Sequence, residues 1–277
     1  MSTTEFRHEA MATYFEITVS GQDRGYAGRA AAAAFRELDR LEGELSRYVE
    51  SSDISRANRL ARGDSTVVGD DAIECLLTAL GVWAATAGAF DPAYASERTA
   101  GGTRTAPAFS VDPERHRLTS LSDRLHLDLG AVGKGYALDR MAAVLGDWGV
   151  DNASLNSGGS TLLGLGDGPT GDGWLAAVGE APSRVGVGLR NAALSGSGVA
   201  VKGSHIVDPR SGARAARSLR AWSHAPVAAL ADALSTAFFV MADQEVRDFC
   251  GAHEGIGAAL TTPSGAVERL GTLAACG

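Results

Sequence analysis

Between residues 153 and 200, short apolar runs alternate with glycines. A chain that reverses every few residues builds antiparallel strands joined by tight turns. Parallel strands would need a crossover of a dozen residues or more. Ahead of this stretch the period changes. Ala30, Ala34, Leu38, Leu41 and Leu45 recur at helical spacing and predict an amphipathic helix over 26–45. Asp70 is placed to cap a second helix, with Ile73, Leu76, Leu77, Leu80 and Trp83 on one face and Gly88 beyond its end. Residues 10–19 and 121–129 read as strands, 134–148 as a helix ending at Gly149, and 93–112 as a Thr, Ala, Gly and Pro-rich loop. A last helix spans about 228–242, before a strand–helix–strand remainder. Strands and helices do not alternate regularly enough for a doubly wound sheet. The fold class expected is α+β: mixed, mainly antiparallel sheets flanked by helices.

Bulk properties remove several classes of function. The net charge is −8, which disfavours non-specific binding to nucleic acid or an anionic membrane. No run of about 18 apolar residues predicts a spanning helix. The first residues, MSTTEFRHEAMATYF, lack a basic stretch followed by an apolar one, so the expected location is the cytoplasm. Cys75, Cys250 and Cys276 are odd in number and widely spaced, which argues for buried thiols and against a disulfide framework or a zinc site.

Chemistry concentrates in a few segments. Residues 127–140, LDLGAVGKGYALDR, hold one of only two lysines among 25 basic residues. Lys134 sits between Gly133 and Gly135, where a strand-like run gives way to a helical pattern. Such a corner can turn backbone N–H groups and one ammonium onto a phosphate. In LADALSTAFFVM (230–241), Asp232 and Thr236 are four apart and share a helix face, with Ser235 adjoining. Their oxygens suit Mg²⁺, although a capping Asp and a back-bonded Thr would leave the same trace. In GSHIVDPRSG (203–212), His205 precedes Asp208 by three residues at a turn marked by Pro209 and Gly212. His205 titrates near neutrality and can take a proton from a hydroxyl nucleophile. Asp208 can orient it, act as the base itself, or simply form the turn. NSGGSTLLGLG (156–166) is neither a P-loop nor a dinucleotide fingerprint, and reads equally as a hairpin turn or a close approach to a ligand. Phe90 and Asp91, after a helix end, offer a ring to stack on a base and a carboxylate to bond it, or a plain helix stop.

Taken in order, these segments resemble the ApbE family of FAD:protein FMN transferases. The resemblance runs from Met11-Ala12-Thr13 through Leu45-Ser46-Arg47-Tyr48, with Ser52, Ile54, Ser55 and Asn58, to Phe90-Asp91-Pro92. It continues over Asp128-Leu129-Gly130, Lys134-Gly135-Tyr136, Asn156, Gly158-Gly159, Ser195-Gly196, His205 to Pro209, and Ala231-Asp232-Ala233-Leu234 with Thr236. It implies one domain over residues 1–277, with FAD as substrate in a cleft between its two halves. It implies Mg²⁺ held by Asp232, Thr236 and a main-chain oxygen near Ala131. Met11, Tyr48, Ala89, Phe90, Asp91, Asp128, Lys134 and Ile206 map to FAD-contacting positions, and His205 to the residue that activates the acceptor. The implied reaction moves the FMN half of FAD onto a Ser or Thr hydroxyl of a target protein and releases AMP. The implied partner is an acceptor protein carrying a D-x-x-[ST]-G-A motif. Asp208 to Ala213 of this chain matches that motif loosely, by coincidence with its own turn.

The chain also departs from the pattern. Ala12 replaces the usual Gly, so its backbone should adopt a conformation that Ala tolerates. Ser160 stands where many members carry Asp, and the stretch 197–204 is shorter and lacks the usual aromatics. Two other readings use the same residues: a Mg²⁺-dependent FAD pyrophosphatase, and a flavin-binding protein without catalysis.

Overall fold

The computed structural model describes residues 2–96, 106–198, 207–213, 220–262 and 264–274. Strands β1 (Thr3–Ala10) and β2 (Thr13–Ser20) form a hairpin. The expected first strand, 10–19, is thus the second. Its turn is Met11-Ala12, both in the left-handed region at φ 51° and 57°. Two such residues in succession match the twist of a two-residue hairpin. Ala12 therefore occupies the left-handed region, which favours the usual Gly and which Ala adopts only at a cost. Glu42 Oε1 holds the corner by accepting from the Met11 N–H at 2.8 Å.

Helix α1 (Arg24–Leu45) starts at Asp23, whose carboxylate accepts from the Tyr26 N–H at 2.9 Å. Its alanine and leucine stripe is buried from Ala27 to Leu45. Short helix α2 (Asp53–Ala57) follows, capped by Ser52. Helix α3 (Asp70–Ala85) buries Ala72, Ile73, Cys75, Leu76, Ala79 and Val82, whereas Leu77 is exposed. Its cap is Gly69, and Asp70 is already inside the first turn. The side-chain cap expected of Asp70 is absent. Strands β3 (Ser65–Val67), β4 (Phe109–Asp112) and β5 (Arg117–Ser120) make a small sheet in the order β3-β5-β4.

Residues 121–129 pair with no strand among the described residues, which corrects the strand expected there. Leu125, Leu127 and Leu129 are buried in alternation, giving the period of two. Side chains, and not a ladder, satisfy the backbone at its centre. Asn58 bonds both the N–H and the carbonyl of Leu127, at 2.6 and 3.0 Å, and Ser96 Oγ accepts from the His126 N–H at 2.8 Å. Free of any sheet, the segment bends at once into α4 (Gly133–Asp147).

The glycine-rich stretch forms β6 (Ala153–Ser157), β7 (Thr161–Leu165), β8 (Trp174–Val178), β9 (Val185–Leu189) and β10 (Ala192–Ser197), as the pattern predicts. After β11 (Ala221–Ala225) come α5 (Ala228–Val240), α6 (Asp243–Ala252), β12 (Gly257–Thr261) and β13 (Val267–Gly271). The main sheet has eight strands in the order β1-β2-β6-β7-β10-β11-β12-β13, every pair antiparallel. Helix α5 is buried on nearly all sides, between this sheet and α3 and α4. The β8–β9 ribbon covers the other face, where Val178, Val187 and Leu189 pack on Leu194, Trp222 and Ala259. The result is mixed α and β with antiparallel sheets flanked by helices.

Candidate functional site

Four strands contribute a row of hydroxyls beneath α5. Ser157 faces Thr161, Thr161 faces Ser195, and Ser195 faces Ser223. All four are buried. Hydroxyls in such a place need partners, because each buried without one costs about 1–3 kcal/mol. Thr161 and Ser195 bond each other at 2.9 Å, and each lies 3.4 Å from Asp232 Oδ1. Ser223 donates to the Ala231 carbonyl. Ser235 bonds Ser197 at 2.9 Å and its own helix at the Asp232 carbonyl. Thr236 lies 3.3 Å from Ser197 Oγ. Of these small polar residues, Thr236, Ser235 and, through the resemblance, Ser195 were singled out from the sequence, whereas Ser197 and Ser223 were not. Their only signal was a buried-looking strand position filled by Ser or Thr.

Helix α4 enters the same place from the opposite side. Its first turn has no side-chain cap, and the Gly135 N–H donates to Asp232 Oδ2 at 3.2 Å. Lys134 donates to the Gly130 carbonyl and lies 3.5 Å from Asp232 Oδ2. The side chains of Lys134 and Asp232 are only 14% and 7% exposed. The rare lysine is therefore turned into the corner and away from bulk water. Ala131, Asp232 and Thr236, the three positions expected to hold a metal, line one cleft of about 390 Å³. Asn156, Gly158, Gly159 and Thr161 share its wall. The donors are a carboxylate, hydroxyls and a carbonyl, hard oxygens that fit Mg²⁺. Among the described residues no group of three His, Cys, Asp or Glu is arranged for a metal, so any ion here relies mostly on neutral oxygens.

A second group of expected positions meets at the surface. Tyr48 is 78% exposed, and the Arg47 guanidinium lies 4.4 Å over its ring. Arg47 donates to the Tyr48 hydroxyl at 2.6 Å and pairs with Asp128 at 3.2 Å. Asp128 also accepts from the Gly130 N–H at 2.8 Å, which ties this rim to the α4 corner. A shallow pocket of about 380 Å³ adjoins, lined by Arg47, Tyr48, Asn58, Arg59 and His126. Arg47 links the two acid and aromatic positions, a role its sequence context did not reveal.

The remaining positions are more dispersed. Met11 sits half-buried at the hairpin corner. Ala89 and Phe90 are buried, Phe90 to 3% exposure within the main core. Of the two readings of Phe90, the buried ring favours the helix stop over stacking on a base, which leaves the backbone of the 89–91 turn and the half-buried Asp91 to meet a ligand. Asp91 accepts from the Ala93 N–H at 2.8 Å. Asp208 accepts from the Arg210 N–H at 2.8 Å and pairs with its guanidinium at 3.1 Å; Arg210 reaches on to Glu245 at 2.8 Å. Asp208 thus forms the turn. His205 and Ile206 lie outside the described residues. Cys75 and Cys250 are free and buried, and burial pushes the Cys250 thiol up to about 11. Cys276 lies outside the described residues. No described helix is long and apolar enough to cross a membrane.

Comparison with known proteins bears on the whole arrangement. The model of the ApbE family matches residues 11–260. An FAD:protein FMN transferase of Klebsiella pneumoniae (strain 342) is 24% identical, over 86% of this chain and 79% of its own length. Among solved structures, the flavinyl transferase ApbE of Pseudomonas stutzeri in its apo form superposes with a TM-score of 0.83 at 22% identity, covering 97% of this chain and 95% of that one. The ApbE protein of Thermotoga maritima gives 0.80 at 24% identity, with 99% of each chain covered. The flavin transferase ApbE of Vibrio cholerae gives 0.81 at 19%, covering 97% and 96%.

Proposed function

The chain belongs to the ApbE family, an enzyme family of flavin transferases, and from that premise we propose that it is a Mg²⁺-dependent FAD:protein FMN transferase. It moves the FMN half of FAD to a Ser or Thr hydroxyl of a target protein. The observation that carries this reading is the convergence of Ala131, Asp232 and Thr236 on one cleft, with Lys134 at its corner.

In this proposal residues 1–277 act as one domain, and FAD lies in the cleft between its two halves. Asp232, Thr236 and the Ala131 carbonyl hold Mg²⁺, which when bound neutralises charge on the pyrophosphate. Lys134 leaves its carbonyl partner for a phosphate oxygen, a stronger bond because both donor and acceptor are then charged. Tyr48, Asp128 and the 89–91 turn meet the nucleotide along the rim, with Met11 and Ile206 as further contacts. His205 takes the proton of the acceptor hydroxyl. That oxygen attacks the phosphorus of the FMN half as the bond to the bridging oxygen breaks, and AMP leaves with that oxygen. Asp208, held by Arg210, keeps the turn that follows His205 in shape. The acceptor carries a D-x-x-[ST]-G-A segment and meets the enzyme in the cytoplasm.

Intact mass spectrometry of an acceptor fragment, incubated with this chain, FAD and Mg²⁺, tests the reading. A gain of one FMN phosphoryl group matched by AMP is the expected result. AMP and free FMN with an unmodified acceptor would assign hydrolysis instead, and no AMP at all would leave only flavin binding. His205→Ala is expected to retain FAD and slow transfer by roughly 10²–10⁴-fold. Unchanged transfer would remove it as the base.

A further inference from the structure

We propose that Asp139 is a positioning residue that sets Lys134 against Asp232. It rests on the reading of Asp232 as a metal ligand and Lys134 as a phosphate contact. Helix α5 begins at Val227 with no side-chain cap of its own. The acceptor comes from a neighbouring helix. Asp139, on α4, accepts from the Ala228 N–H at 2.7 Å and from the Ala229 N–H at 2.8 Å, one on each oxygen. A carboxylate at a helix N-terminus also meets the positive end of its dipole.

The same two helices touch one turn earlier along α4. A Cβ on Gly135 would lie 2.2 Å from the Ala228 carbonyl oxygen, so the backbones approach as closely as glycine allows. Gly135 in turn donates to Asp232. The Gly135 contact fixes the distance between α4 and α5. The two bonds of Asp139 fix how far one slides and turns against the other. Lys134 precedes Gly135, and Asp232 lies one turn into α5. Their separation of 3.5 Å is thus set by a carboxylate that touches neither. Burial pushes the Asp139 carboxyl up to about 6, against the two N–H bonds that favour its charge. The fold therefore keeps an acid where a neutral side chain would bury more easily, which fits a part played at the site.

The full-length Asp139→Asn variant tests this, with Mn²⁺ as the probe and its free paramagnetic signal as the readout. An amide places an NH₂ group against one backbone N–H, so the α4–α5 register should relax. Mn²⁺ affinity is expected to fall 10–100-fold, the range for residues that orient ligands. The Mg²⁺ needed for half-maximal AMP release should rise in step, with kcat largely restored at saturating Mg²⁺. Asp139→Glu, which keeps the charge and adds one methylene, should fold and show an intermediate loss. Asp53→Asn is the control, because Asp53 is likewise a buried carboxylate that accepts from a backbone N–H, that of Gly69, in another part of the chain. Its Mn²⁺ affinity should match that of the wild type. Mn²⁺ affinities of both Asp139 variants within twofold of wild type would overturn the proposal, as would an equal loss in Asp53→Asn. A wild-type chain that binds no Mn²⁺ would defeat the metal reading beneath it.

Discussion

The α4–α5 corner and the Tyr48 rim hold similar residue types in opposite conditions. In the corner, Lys134 and Asp232 are almost wholly buried and every polar partner is a fixed neighbour. At the rim, Tyr48 stands mostly in water and Arg47 and Asp128 are each about a third exposed. Charges in the corner feel a low dielectric and little salt, whereas rim charges are screened. Chemistry that depends on neutralising phosphate charge belongs in the corner. The rim is suited to contact and selection.

This contrast can be broken by experiment. The largest effect is expected from Asp232→Ala, with AMP release falling on the order of 10³-fold because the corner loses the carboxylate paired with the lysine; residual activity within tenfold would move the chemistry elsewhere. Next comes Gly135→Ala. Its methyl meets backbone and cannot be accommodated by a rotamer, so unfolding in urea should show a loss of about 3 kcal/mol.

The Asp139 carboxyl predicts a pH dependence of opposite sign to the usual acid. Its pKa is raised, from 3.8 to about 6, so its stabilising share is full below about 3.8 and is lost as pH rises through 6. Relative to Asp139→Asn, the wild type should lose up to about 3 kcal/mol across that window, read from urea midpoints at each pH. A flat difference would mean the carboxyl is not buried as described. The smallest effect is expected from Tyr48→Ala, with stability unchanged within about 0.5 kcal/mol and FAD binding weakened by about 1 kcal/mol, measured by titration. A large loss of stability there would erase the distinction between rim and corner.

The elements most legible in the sequence were those whose burial pattern and backbone pairing agree. Helix α1 shows this, and so do the antiparallel strands from β6 to β10. Residues 121–129 misled because alternate burial occurs without a ladder, its bonds supplied by Asn58 and Ser96 from far along the chain. Strand β1 was missed because an edge strand with one wet face reads as polar. At the site, Lys134 was conspicuous by rarity, and Asp232 with Thr236 by spacing. The hydroxyl row was not legible, since Thr161, Ser195 and Ser223 become neighbours only through sheet register. Asp139 was hidden for a similar reason: its partners lie about ninety residues away.

Among the described residues the long sheet ends in two open edges, β1 and β13. An unpaired edge invites a second copy to add its own strand. Glu5, Arg7 and Glu9 line one face of β1, all exposed. If two copies met antiparallel about Arg7, arginine would face arginine and each Glu5 would face a Glu9. Like charges directly opposite repel across a strand pair. β13 carries Glu268 and Arg269 at the other end. In that register the alternating charges that made β1 hard to recognise as a strand oppose the pairing, and in any register they keep the edge charged rather than apolar.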